Sequence, residues 1–191
     1  MTPPEMLNDL IKKRRSIFPS SYIEKEIPKE IIEQVLENAN WAPTHKRTEP
    51  WRFKVLTGDA QNRMGEFMAE WYKANTSEEK FSPIKFKKLS KNPGKAGCLI
   101  AVCMKRDPKE SLPEWEEISS VAMAVQNMYL TCTAYGIGSY WSSTKPALVV
   151  DEFLGLEDGE RCLGLFYMGY FEGDWPEGKR ESPILDKVEW I

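Results

Sequence analysis

The sequence predicts an α+β domain in which a sheet packs against several helices. Three observations carry that prediction. Segments with helical and strand periodicity follow one another as helix, helix, strand, helix, helix, strand, long helix, strand, short helix, strand and tail, without the regular alternation of a doubly wound sheet. The same order is too rich in helix for a sandwich. At 191 residues the chain is most simply one domain spanning residues 1–191, large enough to bury a core without help from disulfides.

Each element has a local cause. Met6, Leu7, Leu10 and Ile11 recur at helical spacing, so residues from about 4 to 15 form an amphipathic helix. That helix runs into "KKRRS", whose cations suit the negative end of the helix dipole. "PKEIIEQVLENANWA" places Ile31, Ile32, Val35, Leu36 and Ala39 on one face, with Pro28 at the entry and Pro43 as the stop. "WRFKVLTG" is a β-rich run closed by Gly58, and "DAQNRMGEFMAEWYKAN" opens a helix with Asp59 as its candidate cap. Residues 77–95 are polar, lysine-rich and interrupted by prolines, and they read as an exposed helix and loop whose charge is a solvated face.

"AGCLIAVCMK" is an apolar run with β-favouring members, the pattern of a buried strand. Residues 118–135, "ISSVAMAVQNMYLTCTAY", have helical length but are apolar nearly all the way round, as in a helix covered on every side. In a domain of this size the covering surface is expected from a second subunit, so a homodimer is expected. "GIGSYWSS" and "RCLGLFYMGYF" supply two further strands, separated by a short helix around "KPALVVDEFLGL". The tail "KRESPILDKVEWI" alternates apolar residues but has no partner nearby in sequence.

Composition narrows the function. The apolar fraction is 41%, the charged fraction 29% and the net charge -3, which gives no reason to expect a nucleic-acid partner. The opening "MTPPEMLNDLIKKRRS" has no apolar signal core, and no apolar run approaches the roughly 18 residues of a membrane span, so a cytoplasmic location is expected. Cys98, Cys103, Cys132 and Cys162 lie in apolar contexts without a CxxC pair and read as buried reduced thiols. A single histidine excludes a His-rich metal site, and a Ser/His/Asp triad could use only His45.

Three stretches carry chemistry. "KKRRS" at 12–16 sets two guanidinium groups beside a hydroxyl at a helix end, a combination suited to phosphate oxygens. No GxGxxG or GxxxxGK[ST] loop accompanies it. "GIGSYWSS" at 136–143 joins a Gly-x-Gly turn to a strand whose backbone could approach a flat ligand. "ANWAPTHKRTEPWRF" at 39–53 gathers two prolines, the only histidine, the cations Lys46, Arg47 and Arg52, and two tryptophans. Trp41, Trp51, Tyr140 and Trp141 lie near these loops, which is compatible with a planar ligand.

Taken together, "RRS", "WAPTHKRTEPWRF", "AVQNMYLTCTAYGIGSYW" and "KRESPILDKVEW" resemble, in order and spacing, the nitroreductase family of flavoproteins, and the resemblance covers almost the whole chain. "APTHKRTEPWRF" is similar to a small single-domain branch in which a His-Lys pair follows Ala-Pro-Asp. The resemblance implies a mainly antiparallel central sheet flanked by helices, in an intertwined homodimer with FMN at its interface. It implies FMN contacts from Arg14, Arg15 and Ser16, from Trp141, Ser142 and Ser143, and from Arg180 at the phosphate. Trp41 and His45 match positions that reach the FMN bound mainly by the other subunit.

The implied activity is ping-pong hydride transfer from NAD(P)H through FMN to nitroaromatic, quinone or related electron-poor acceptors, with no catalytic acid or base and no metal. Phe18 replaces a basic residue near the flavin N1 and O2, Arg47 and Glu49 replace Asn and Gln, and Ser142 stands where the branch often has Arg. These departures bear on which group stabilises negative charge on the reduced ring, with Arg15 the first expectation and Lys46 or Arg47 next. Arg47, Glu49 and Ser142 leave open a flavin-binding carrier or sensor without turnover. An unliganded helical interaction protein is the remaining alternative.

Overall fold

The computed structural model describes residues 1–191, Met1–Ile191. In chain order the elements are α1 (Pro3–Lys13), α2 (Lys29–Asn40), β1 (Trp51–Leu56), α3 (Asp59–Ala74), α4 (Pro83–Lys91), β2 (Cys98–Lys105), α5 (Glu114–Ala134), β3 (Gly138–Ser142), α6 (Asp151–Leu154) and β4 (Glu160–Gly169). The sequence order of helices and strands is the order read above. The strands form one sheet in the order β1-β2-β4-β3, and every neighbouring pair is antiparallel.

β2 shows why the sheet sits at the centre. All its residues but Lys105 are buried, so the strand is covered on both faces. Its alternate side chains divide between two cores. Cys98, Ile100, Val102 and Met104 pack with Phe166, Met168 and the inner faces of α2 and α5. Leu99, Ala101 and Cys103 pack with Leu165, Tyr167, and Met64 and Met68 of α3. All four cysteines are buried free thiols.

The structure departs from the sequence reading at three places. α5 begins at Glu114, a turn before residue 118, because Pro113 precedes it and Glu114, Glu116 and Glu117 occupy a first turn where acids suit the dipole. Asp59 does not cap α3 but is its first helical residue, entered from Gly58 at φ 56°. The tail forms no strand and pairs with none of the four strands, making only a 3₁₀ turn at Ile184–Lys187.

α5 is not covered on every side by its own chain. Val121, Ala124, Val125 and Met128 are fully buried, yet Met123 and Trp115 are exposed. α1 buries no residue, and Met6, Leu7 and Ile11 face outward. No helix is long and apolar enough to cross a membrane.

Candidate active site

β3 is an edge strand, and the segment that follows α1 closes that edge. Ser16 bridges Ser139 in parallel, and the Ile17 N–H donates to the Ser139 carbonyl at 3.0 Å. The two glycines of "GIGSYW" serve this closure. Gly136 turns the chain out of α5 at φ 70°, and a Cβ on Gly138 would lie 2.8 Å from the Ile17 side chain. Close approach at Gly138 is therefore to the protein's own chain, where the sequence reading allowed a ligand.

Tyr129 of α5 gathers several residues of the predicted set. The Trp141 N–H donates to its hydroxyl at 2.7 Å, and the Arg14 guanidinium lies 5.2 Å from its ring centroid. Burial pushes the Tyr129 phenol above its ordinary range, against the pull of the Trp141 N–H, the Ser16 hydroxyl and Arg14. Arg15 turns another way. Its Nη1 donates to the carbonyls of Lys12 and Arg14 at 2.5 and 2.6 Å, which satisfies acceptors at the end of α1. The Arg15 Nε and the Trp141 Nε1 are buried donors without a protein acceptor.

Along β3 side chains alternate, so Trp141 and Ser142 face opposite sides of the sheet. Trp141 packs against the α2 and α5 core. Ser142 opens instead onto a cleft of about 590 Å³ between residues 18–20, α4 and the outer ends of β3 and β4. Phe18, Tyr140 and Tyr167 supply its aromatic surface, with Phe18 and Tyr140 ring centroids 4.6 Å apart. Ser20, Ser142, Thr144 and Asn92 add polar groups, and Lys85, Lys88 and Lys95 add positive charge.

Lys85, Lys88 and Lys95 are exposed, in keeping with the reading of residues 77–95 as a solvated face, and they also border the cleft. Lys85, Lys88 and Asn92 recur at helical spacing with Leu89, so one side of α4 and its exit forms a wall of the cleft. Composition carries no such signal, because a lysine-rich helix looks the same whether its stripe meets water or a cleft. Tyr129 was missed for a similar reason, as an aromatic on an apolar helix.

The remaining predicted residues lie elsewhere. Ser143 follows the end of β3 and is exposed. Arg180 is exposed on the tail and donates to the Lys179 carbonyl at 3.1 Å. Trp41 is 78% exposed, with its ring N–H donated to Glu37 at 2.9 Å. His45 Nδ1 is 2.6 Å from Glu116 Oε2 at the start of α5. Neither Trp41 nor His45 lines the cleft of its own chain. The loop that carries His45 is strained: Lys46, Arg47 and Glu49 all have positive φ, at 51°, 56° and 43°. Side-chain bonds hold it there, from Lys46 Nζ to the Ser111 carbonyl at 2.9 Å and from the Glu49 N–H to Thr44 Oγ1 at 3.1 Å.

A sequence profile of the nitroreductase family matches residues 11–170. The chain belongs to the nitroreductase family. YfhC of Bacillus subtilis (strain 168), provisionally named an NAD(P)H nitroreductase, is 31% identical over 188 residues, covering 95% of this chain and 92% of that protein. The crystal structure of a nitroreductase-like family protein from Bacillus cereus superposes with a TM-score of 0.82 at 30% identity, over 97% of this chain and 95% of that one. The FMN-dependent nitroreductase NfnB of Mycobacterium smegmatis, solved in complex with NADPH, shares the fold at TM-score 0.76 and 18% identity, over 98% of this chain and 99% of that one. This nitroreductase-family chain therefore has the α+β fold that its motifs imply, with "RRS" laid on the sheet edge beside the cleft.

Proposed function

We propose that this protein is an FMN-dependent NAD(P)H oxidoreductase that reduces nitroaromatic, quinone or related electron-poor acceptors, acting as a homodimer with FMN at its interface. The observation that carries the reading is the joining of "RRS" to β3 beside an aromatic, lysine-lined cleft. The donor set fits FMN. Arg15 Nε is a buried donor without a protein acceptor, which suits a ligand rich in phosphate, hydroxyl and carbonyl oxygens. Arg14, Arg15, Ser16 and Arg180 would hold the phosphate and ribityl chain, and the 141–143 segment would border the ring, Trp141 through its backbone and Ser142 and Ser143 through their side chains.

When bound, FMN supplies the hydride-transfer chemistry. The residues of the chain bind and orient. Phe18, Tyr140 and Tyr167 keep water from one side of the cleft and offer flat apolar surfaces to a planar ligand. Lys95 lines the same cleft as Phe18 and would add positive charge there. The Trp141 N–H is already donated to Tyr129, so it is not free to donate to a ligand.

Exposed apolar residues support the homodimer. Met6, Leu7 and Ile11 of α1, Met123 and Trp115 of α5, and Ile184, Leu185 and Trp190 of the tail all await cover. In the dimer, Trp41 and His45 face the FMN of the partner. Light scattering at micromolar concentration should give twice the chain mass, and a monomeric mass overturns the assembly.

The activity is tested by mixing the purified yellow protein anaerobically with NADH or NADPH. Loss of the flavin band within seconds is expected, followed by its return on adding a quinone. A colour that persists with both donors points instead to a flavin carrier or sensor.

A further inference from the structure

We propose that Lys85 and Lys88 of α4 recognise the 2′-phosphate of NADPH entering by this cleft, so that this protein selects NADPH over NADH; the inference rests on the FMN oxidoreductase reading above. The cleft bears positive charge without compensation. Lys85, Lys88 and Lys95 line it, and no aspartate or glutamate does. None of the three makes an ion pair with a carboxylate.

The placement of Lys85 is not explained by helix stability. It is the third residue of α4, whose N-cap Ser82 accepts its N–H, so the ammonium stands near the positive end of the helix dipole. Acidic residues favour such positions. Lys88 follows three residues later on the same side, and like charges at that spacing also disfavour the helix. The Lys85 ammonium lies 4.6 Å from the centroid of the Tyr72 ring of α3, which is not part of the cleft, so it is left un-neutralised and turns from that ring to meet a phosphate.

A phosphate monoester is the chemistry this pair suits, since lysine acts toward phosphate as a point charge with rotatable donors. FMN and NADPH both carry such a group, and position distinguishes them. Lys85 and Lys88 are exposed on the rim, whereas Arg14, Arg15 and Ser16, assigned to the phosphate of FMN, belong to a different segment and do not line this cleft. A rim suits a substrate that comes and goes. The dianion of the 2′-phosphate is also the one group that NADPH has and NADH lacks.

The test compares wild-type holoprotein with Lys85→Ala/Lys88→Ala and Lys85→Arg/Lys88→Arg. Calorimetric titration with adenosine 2′,5′-bisphosphate and with AMP reads the binding without turnover. Wild type should favour the bisphosphate by about tenfold, as expected for two solvent-exposed ion pairs, and the alanine variant should lose most of that margin. The ratio of kcat/KM for NADPH over NADH should fall in parallel, and the arginine variant should keep it. Flavin content of the alanine variant should match wild type. Loss of flavin would assign the lysines to the phosphate of FMN and overturn the proposal, as would equal affinity of wild type for the two nucleotides or an unchanged ratio in the alanine variant. Protein that neither carries nor takes up FMN defeats the FMN reading alone, because the titration still reports on the lysines.

Discussion

Gly178 lies directly on the guanidinium of Arg15: a Cβ at position 178 would fall 1.9 Å from Nη2 and 2.2 Å from Cζ. The tail and the "RRS" segment thus touch, although they come from opposite ends of the chain. Gly178→Ala should push the tip of Arg15 aside. That tip is the end of a flexible side chain, so the stability cost should stay below about 1 kcal/mol. Flavin retention on dialysis should nonetheless drop. Unchanged retention together with an unchanged melting temperature would show that Arg15 is not placed by the tail.

Arg14→Ala/Arg15→Ala should strip FMN. A charge-assisted hydrogen bond to phosphate stabilises the complex by about 1.5–3 kcal/mol, so removing both guanidinium groups should weaken FMN affinity by about a hundredfold or more. His45→Ala should weaken it less, because in the proposed dimer that residue contributes from the partner side. Fluorescence titration of apoprotein with FMN measures both. Full retention by the double arginine variant overturns the site assignment.

Arg47 is held at φ 56°, exposed, and without a side-chain bond. Arg47→Gly should stabilise the fold by about 1 kcal/mol, because glycine adopts this conformation without the Cβ penalty. Chemical denaturation gives the number. Strain retained in a loop is often a mark of function, so the same variant should bind FMN no more tightly than wild type. A destabilised variant would mean that the loop is not strained at this residue.

Stability should fall in alkali. Burial pushes the Cys98 thiol from 9.0 up to about 12, and it also raises Cys132, Tyr22 and Tyr167 above their ordinary ranges. These groups stay protonated in the folded chain after they ionise in the unfolded one. Their contribution is therefore complete below the unfolded values, 9.0 for the thiols and 10.0 for the phenols, and for Cys98 it is lost as pH rises from 9.0 to about 12. Each fully engaged group costs about 1.4 kcal/mol per pH unit there. Urea midpoints should be level from about pH 7 to 8 and decline above about 9, less steeply in Cys98→Ala. A flat midpoint to about pH 11 would contradict the burial of these groups.

Much of the fold was legible because its causes are local. The apolar run of β2, the helical spacing of Ile32, Val35 and Ala39, and the proline stops each act within a few residues. The candidate site was legible only as a set of segments. Its two arginines looked equivalent, yet Arg14 lies over Tyr129 while Arg15 folds onto carbonyls under the tail. Tyr129 itself is an aromatic among apolar residues of α5, with nothing in its neighbours to single it out.

Read alone, the chain of residues was enough for the order of helices and strands, the buried strand at the centre, the absence of a His-rich metal site and the family, since periodicity, composition and motif spacing are properties of neighbouring residues. Tertiary structure was needed to learn that Gly138 admits Ile17, that Trp141 and Ser142 face opposite sides of the sheet, and that the lysines of α4 wall a cleft. Those outcomes depend on which surfaces meet. Register and packing between segments far apart in the chain decide that, and a charge on an exposed helix carries no local mark of what lies across from it.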